Sequence, residues 1–167
     1  MTIANFNQLN DAEKHEALFK CCGSTTWVNL MMTTLPVKGL VELLAYADEK
    51  WQQCTEKDWL EAFTHHPKIG DVNALKEKFA STASWASNEQ SGVNAAPDDV
   101  LVALAKGNAE YEQKFGYIFI VCATGKSAAQ MLDLLDARLP NDPAREIKIA
   151  AGEQAKITRI RLEKLFA

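Results

Sequence analysis

Long hydrophobic runs, basic clusters and metal-ligand spacings are all missing from this chain, and it has only three histidines. No apolar run approaches the roughly 20 residues needed to span a bilayer. The opening Met1-Thr2-Ile3-Ala4-Asn5-Phe6 has neither the basic nor the apolar region of a signal peptide. With a formal charge of −4 and scattered Lys and Arg residues, the chain lacks the clustered cations that track phosphates, which argues against nucleic acid as the main partner. Cys21, Cys22, Cys54 and Cys122 show no C-x-x-C spacing, so neither a zinc ribbon nor a thioredoxin-type motif is supported. Each cysteine lies in an apolar or helical setting, where a reduced thiol acts as a small hydrophobe. No H-E-x-x-H is present, and His65 and His66 adjoin each other instead of standing four apart, the spacing that turns two imidazoles onto one ion. A cytoplasmic protein with no nucleic-acid, membrane or metal partner is the expectation.

What is present is a helical pattern along almost all of 167 residues, 47% of them hydrophobic, enough for one domain with a sizeable core. Asn10 with Glu13, and Thr55 with Asp58, have the three-residue spacing of helix N-termini. The first opens a helix to about Cys21; the second opens a short one through Trp59, Leu60 and Phe63. Between them, Ser24 caps a segment through Trp27, Leu30 and Met31, which Leu35-Pro36 ends. Leu40, Leu43, Leu44, Ala47 and Trp51 then recur at helical spacing. Val72–Phe79 is expected to be helical, as is Ser81–Asn94 on weaker grounds. Asp98–Phe115 reads as a long amphipathic helix closed by Gly116. Ser127 precedes a helix through Met131, Leu132, Leu135 and Leu139. Asp142-Pro143 opens the last helix, with Ile147, Ala150, Ala151, Ile157, Ile160 and Leu165 as its apolar face. Residues 117–123 include the one β-like run, Tyr117–Cys122. A lone strand has no ladder partner, so an extended segment buried between helices is expected. The fold class is all-α, a single-domain helical bundle spanning residues 1–167.

Three polar constellations interrupt this pattern. In His65-His66-Pro67-Lys68-Ile69-Gly70-Asp71, the proline restricts the residue before it and the glycine permits a sharp turn. A rigidly held imidazole suits proton transfer near neutral pH. On local grounds alone the plainer reading is the stronger: a polar helix end that Pro67 stops. Glu89-Gln90, in the Ser84–Gln90 stretch, reads equally as a solvated helix face. Arg159 and Arg161 point roughly 200° apart on a helix, so only one can face a given pocket. Gly125-Lys126-Ser127 ends like a phosphate-binding loop, but Ile120 stands where that motif needs its first glycine. No cysteine has the polar setting that would make it a nucleophile. Acid–base and electrostatic chemistry by one His, one Glu and one Arg, without a cofactor, is what remains.

Taken in order, His66-Pro67-Lys68-Ile69-Gly70, Glu89-Gln90, Phe115–Ala123 and Ile157-Thr158-Arg159-Ile160-Arg161-Leu162 resemble the decarboxylases of 2-oxo-4-hydroxy-4-carboxy-5-ureidoimidazoline (OHCU), which form (S)-allantoin in urate degradation. The resemblance runs from about the first helix to Leu165. It implies an all-helical domain that takes OHCU as its small-molecule substrate and needs no metal or organic cofactor. It assigns the catalytic histidine to His66, not His65, and the acidic partner to Glu89. Pro67, Gln90 and Arg161 would contact substrate, and the backbone amides of Phe119 and Ile120 would hold developing negative charge. Related proteins often carry a serine three residues before the glutamate. That position is Ala86 here, with Ser84 and Ser87 flanking it as candidate contacts.

Three other readings compete. A helical scaffold predicts a large exposed apolar patch and no polar pocket. A binding protein of the same fold would not need both His66 and Glu89, and a ureido hydrolase usually needs a metal. Leu165-Phe166-Ala167 carries no peroxisomal Ser-Lys-Leu, and no transthyretin-like hydrolase segment is fused, so a stand-alone enzyme is expected. For assembly, a homodimer is the commoner arrangement.

Overall fold

Hydrogen bonds made back onto the chain by side chains at helix starts position most of the helices. The computed structural model describes residues 1–67, 72–77 and 98–167. In chain order the helices are α1 (Ile3–Gln8), α2 (Asp11–Cys21), α3 (Thr25–Met32), α4 (Leu40–Gln52) and α5 (Glu56–Thr64). Residues 72–77 form α6, followed by α7 (Asp98–Phe115), α8 (Ala128–Arg138) and α9 (Pro143–Leu165). There is no strand among the described residues. The architecture is all-α, as the periodicity predicts.

The caps fall where the sequence places them. Asn10 and Glu13 form a reciprocal capping box at α2. The Ser24 hydroxyl accepts from Trp27 N at 3.3 Å to start α3. Asp58 accepts from Thr55 N at 2.8 Å to start α5. Ser127 and Gln130 box the start of α8, and Asp142 accepts from Arg145 N at 3.0 Å at the head of α9. Gly116 ends α7 at φ +83°, a left-handed turn that costs glycine little. One helix is additional: α1, ahead of the first expected, is capped by Thr2 and buries Phe6.

Two compact units make up the chain. The first contains Met1–His66, Ile120–Cys122 and Ile147–Ala167. Within it, α3 packs on α2, α4 and α5. Two buried indoles tie helices together through backbone carbonyls: Trp27 Nε1 donates to Ala47 O at 3.1 Å, and Trp51 Nε1 to Ala151 O at 2.9 Å. The chain ends meet here as well, with Met1 N donating to Leu165 O and Phe6 lying edge-on to Phe166. The second unit, Pro67–Phe119 with Ala123–Glu146, is built on the pairing of α7 and α8.

Residues 117–123 adopt no helix or strand. Ile120, Val121 and Cys122 are buried, while Tyr117, Ile118, Phe119 and Ala123 are half-buried. The expectation of a non-helical segment here holds, but its burial is confined to the middle three residues and not to the whole of 117–123. In α9 the buried stripe is Ile147, Ala150, Ala151, Gln154, Thr158 and Leu162. The expectation that Ile157, Ile160 and Leu165 supply this face is corrected: all three are only half-buried. The stripe takes its polar members because something polar lies opposite them.

Candidate active site

That polar partner is His66. The capping box at Thr55 sets the start of α5, and the amphipathic Glu56–Thr64 stretch buries Ala62 and Phe63, so the helix delivers its last residues at a defined place. His65 closes the helix, and the His66 N–H donates back to Phe63 O at 3.3 Å. The two imidazoles then take different roles. His65 lies edge-on to Phe19, ring centroids 4.9 Å apart, and closes over Gly23. A Cβ at position 23 would come within 2.6 Å of His65 Cβ, so only glycine lets this turn approach. His65 is thus the helix end of the plainer reading, exposed apart from its contacts with Phe19 and Gly23. His66 turns inward instead, its Nε2 at 2.5 Å from Gln154 Oε1.

Gln154 has no solvent exposure. Its Nε2 donates to Thr158 Oγ1 at 3.1 Å, one turn along α9. Thr158 in turn lies beside the Cys22 thiol. Burial pushes that thiol up to about 12, and the Thr158 hydroxyl offsets part of the rise. Burial likewise raises Cys21 and Cys54 to about 11. All four cysteines are buried, and these three stay protonated at neutral pH, which removes them as nucleophiles.

Arg161 lies seven residues beyond Gln154, on the same face of α9 and about 10.5 Å along the axis. It is half-buried, with Nη1 donating to Cys21 O at 3.4 Å. Arg159 points away and is exposed, paired with Asp48 and Glu163, each at 3.4 Å. Of the two arginines, Arg161 is the one that shares a helix face with the histidine's partner.

In the second unit, Phe119 is held by a buried ion pair. Glu146 has no exposure, and Arg138, 7% exposed, binds it through Nε at 2.7 Å and Nη2 at 2.6 Å. Glu146 also accepts from the Tyr111 hydroxyl at 2.5 Å and from Asn141 Nδ2 at 3.0 Å. The Arg138 guanidinium then lies 4.5 Å from the centroid of the Phe119 ring. Burial, followed by the bond to Glu146, pushes the Tyr111 phenol far up, so it remains a donor at any ordinary pH.

Of the residues expected in the site, His66, Arg161 and Ile120 belong to the first unit. Pro67, which is exposed, and Phe119 belong to the second. Ile120 is 2% exposed, a core residue of the first unit. Ser84, Ser87, Glu89 and Gln90 lie outside the described residues. Gln154, Thr158, Arg138 and Glu146 were not expected to have roles. Projecting Ile147, Ala150 and Ala151 forward by helical turns puts Gln154 and Thr158 on an apolar stripe, which is the signal that exposes them. Among the described residues, no three His, Cys, Asp or Glu side chains converge as a metal site. No described helix is long and apolar enough to cross a membrane.

The family model for OHCU decarboxylase matches residues 7–163. The chain belongs to this family. Over 149 residues it is 38% identical to the uric acid degradation bifunctional protein TTL of Arabidopsis thaliana, covering 88% of this chain and 45% of that protein. It is 29% identical to the 2-oxo-4-hydroxy-4-carboxy-5-ureidoimidazoline decarboxylase of Amia calva, covering 60% of this chain and 57% of that one. The chain thus spans about half the length of these curated relatives. A crystal structure of OHCU decarboxylase in the presence of (S)-allantoin matches with a TM-score of 0.71 at 38% identity, covering 89% of this chain and 95% of that chain. As a member of the OHCU decarboxylase family, the chain has both an inward-turned histidine after α5 and an arginine in its last helix, the positions the motifs single out.

Proposed function

We propose that this chain decarboxylates 2-oxo-4-hydroxy-4-carboxy-5-ureidoimidazoline to (S)-allantoin, with His66 moving the proton. Within the family, the observation that carries this reading is the contrast between the two histidines. His65 is an exposed helix end lying edge-on to Phe19, whereas His66 is held by one ring nitrogen against a buried amide. A helix end needs no such hold; a proton-transfer group does, because transfer depends on heavy-atom placement within hydrogen-bond reach.

The substrate carries hydroxyl and carboxylate on one ring carbon, beside a C=N bond. As the carbon–carboxylate bond breaks, CO2 departs, its electron pair forms a C=C bond to the neighbouring ring carbon, and the C=N pair moves onto the ring nitrogen, which takes a proton from solvent. The hydroxyl gives up its proton and becomes a carbonyl, while the neighbouring ring carbon gains one. His66 takes the first proton and delivers the second, and Glu89 supports the imidazolium between these steps. Delivery from one face sets the product's handedness. Arg161 holds an anionic or carbonyl oxygen of the substrate through its planar fork of donors. The Ile120 amide adds a fixed dipole for developing charge.

The test is optical rotation on urate converted in situ by urate oxidase and hydroxyisourate hydrolase, with and without this protein. Rapid appearance of (S)-allantoin is expected, and a slow racemic product from folded protein would remove the proposal. His66→Ala and Glu89→Ala should each lower the rate by about two to four orders of magnitude. Arg161→Ala should act mainly on KM, by about tenfold or more, as expected for loss of a charged hydrogen bond.

A further inference from the structure

We infer that Gln154 is a positioning residue that holds His66 in the Nε2–H tautomer, so that Nδ1 is the nitrogen that takes up and releases the proton. This rests on the catalytic role proposed for His66. Imidazole Nε2 and the amide of Gln154 meet at 2.5 Å, too close for two lone pairs to face one another. One of the two atoms must carry the hydrogen, and the other side of the amide decides which. Gln154 Nε2 is engaged as a donor to Thr158 Oγ1 at 3.1 Å. A hydroxyl oxygen has lone pairs to accept that bond, and the other end of the same amide, Oε1, is the atom against the imidazole. The amide oxygen therefore faces the imidazole, and Nε2 is the protonated nitrogen.

Burial makes this orientation firm. Gln154 has no exposure and Thr158 only 6%, so water does not compete for either side of the amide. A flipped amide would turn its NH2 onto Nε2 and its oxygen onto the Thr158 hydroxyl, the reverse of both contacts. The arrangement also suits the catalytic cycle. A carbonyl oxygen accepts from Nε2–H whether the ring is neutral or charged, so this bond persists while Nδ1 changes state. Gln154 thus does for the imidazole what an orienting carboxylate does in other sites, without adding a buried charge. The sequence conceals the role, because Gln154 lies 88 residues from its partner.

The experiment is 15N NMR of the three histidine rings in the full-length protein, at a pH where they are neutral, with the His66 signals identified by their loss in His66→Asn. A pyrrole-type Nε2 and a pyridine-type Nδ1 are expected for His66; the reverse pattern overturns the inference. Gln154→Leu should then lower kcat roughly ten- to a hundredfold, the range seen when an orienting partner of a functional imidazole is lost, with KM changed less than about threefold. Gln154→Glu, which keeps an oxygen opposite Nε2, should restore the tautomer signal. A folded Gln154→Leu with the wild-type kcat also overturns the role. Should that variant fail to fold, the wild-type spectrum alone decides. An inactive wild-type protein whose spectrum shows Nε2–H would refute the proposed activity and leave the tautomer assignment standing.

Discussion

Glu146 is the most constrained charge among the described residues: it has no exposure, and Tyr111, Arg138 and Asn141 all donate to it. Ionised groups out of water are tolerated only when their hydrogen-bonding capacity is filled, so removing one partner strands the other. Arg138→Met should destabilise the protein by about 3–5 kcal/mol, measured by urea denaturation. Replacing the pair together, as Arg138→Met with Glu146→Leu, should recover much of that loss. An Arg138→Met variant as stable as the parent would mean that solvent already screens the pair. By contrast, Arg159 with Asp48 is an exposed pair, and breaking it should change stability by less than about 1 kcal/mol. At this scale the sequence was legible in part. The HPKIG motif pointed to His66, but nothing local marked Arg138 as buried, because its partner lies eight residues on in the next helix.

At the scale of elements, the caps were the most readable feature, since each joins residues only three apart and owes nothing to distant packing. Asn10→Ala and Ser127→Ala should each cost about 1 kcal/mol, visible as a lower melting temperature. The turn at Gly23 behaves differently, because its constraint comes from another helix end. Gly23→Ala would drive a Cβ to 2.6 Å from His65 Cβ, an atom whose place the backbone fixes. The end of α5 must then shift, and with it His66. This variant should lose activity by at least about tenfold, since placement errors near 1 Å are costly in proton transfer. Wild-type turnover in Gly23→Ala would show that the loop absorbs the change. The short α1 escaped the sequence reading for a related reason. Its only buried residue, Phe6, gains its partner Phe166 from the far end of the chain.

At the scale of the whole molecule, the first unit is assembled from three separate stretches of chain, and it holds the three thiols that burial raises. Each would ionise near 9 when unfolded, but only at about 11 to 12 when folded. Above pH 9 the unfolded chain therefore binds fewer protons than the native one, and stability falls as pH rises. Their contribution is complete below pH 9 and is lost by about 11 to 12. Thermal melts between pH 8 and 11 should show this alkaline decline, and Cys22→Ala should flatten it. An unchanged slope in that variant would assign the decline to other groups.

Helix type, helix starts and the fold class were determined by the sequence itself, because periodicity, capping pairs and the Asp142-Pro143 entry act within one or two turns of chain. Family membership was legible in the same way, through short motifs kept in order. Those motifs also singled out His66 over His65 and Arg161 over Arg159; what holds each of them in place, only the tertiary structure decided. His66 is held by a buried amide 88 residues away, and His65 is displaced onto Phe19 and Gly23 by the approach of another helix end. The buried stripe of α9 runs on from Ile147, Ala150 and Ala151 to Gln154 and Thr158, and contact with His66 and Cys22 is what gives those polar side chains a partner there. Local propensity has no access to such choices, since the energy that decides them is released only when distant segments meet.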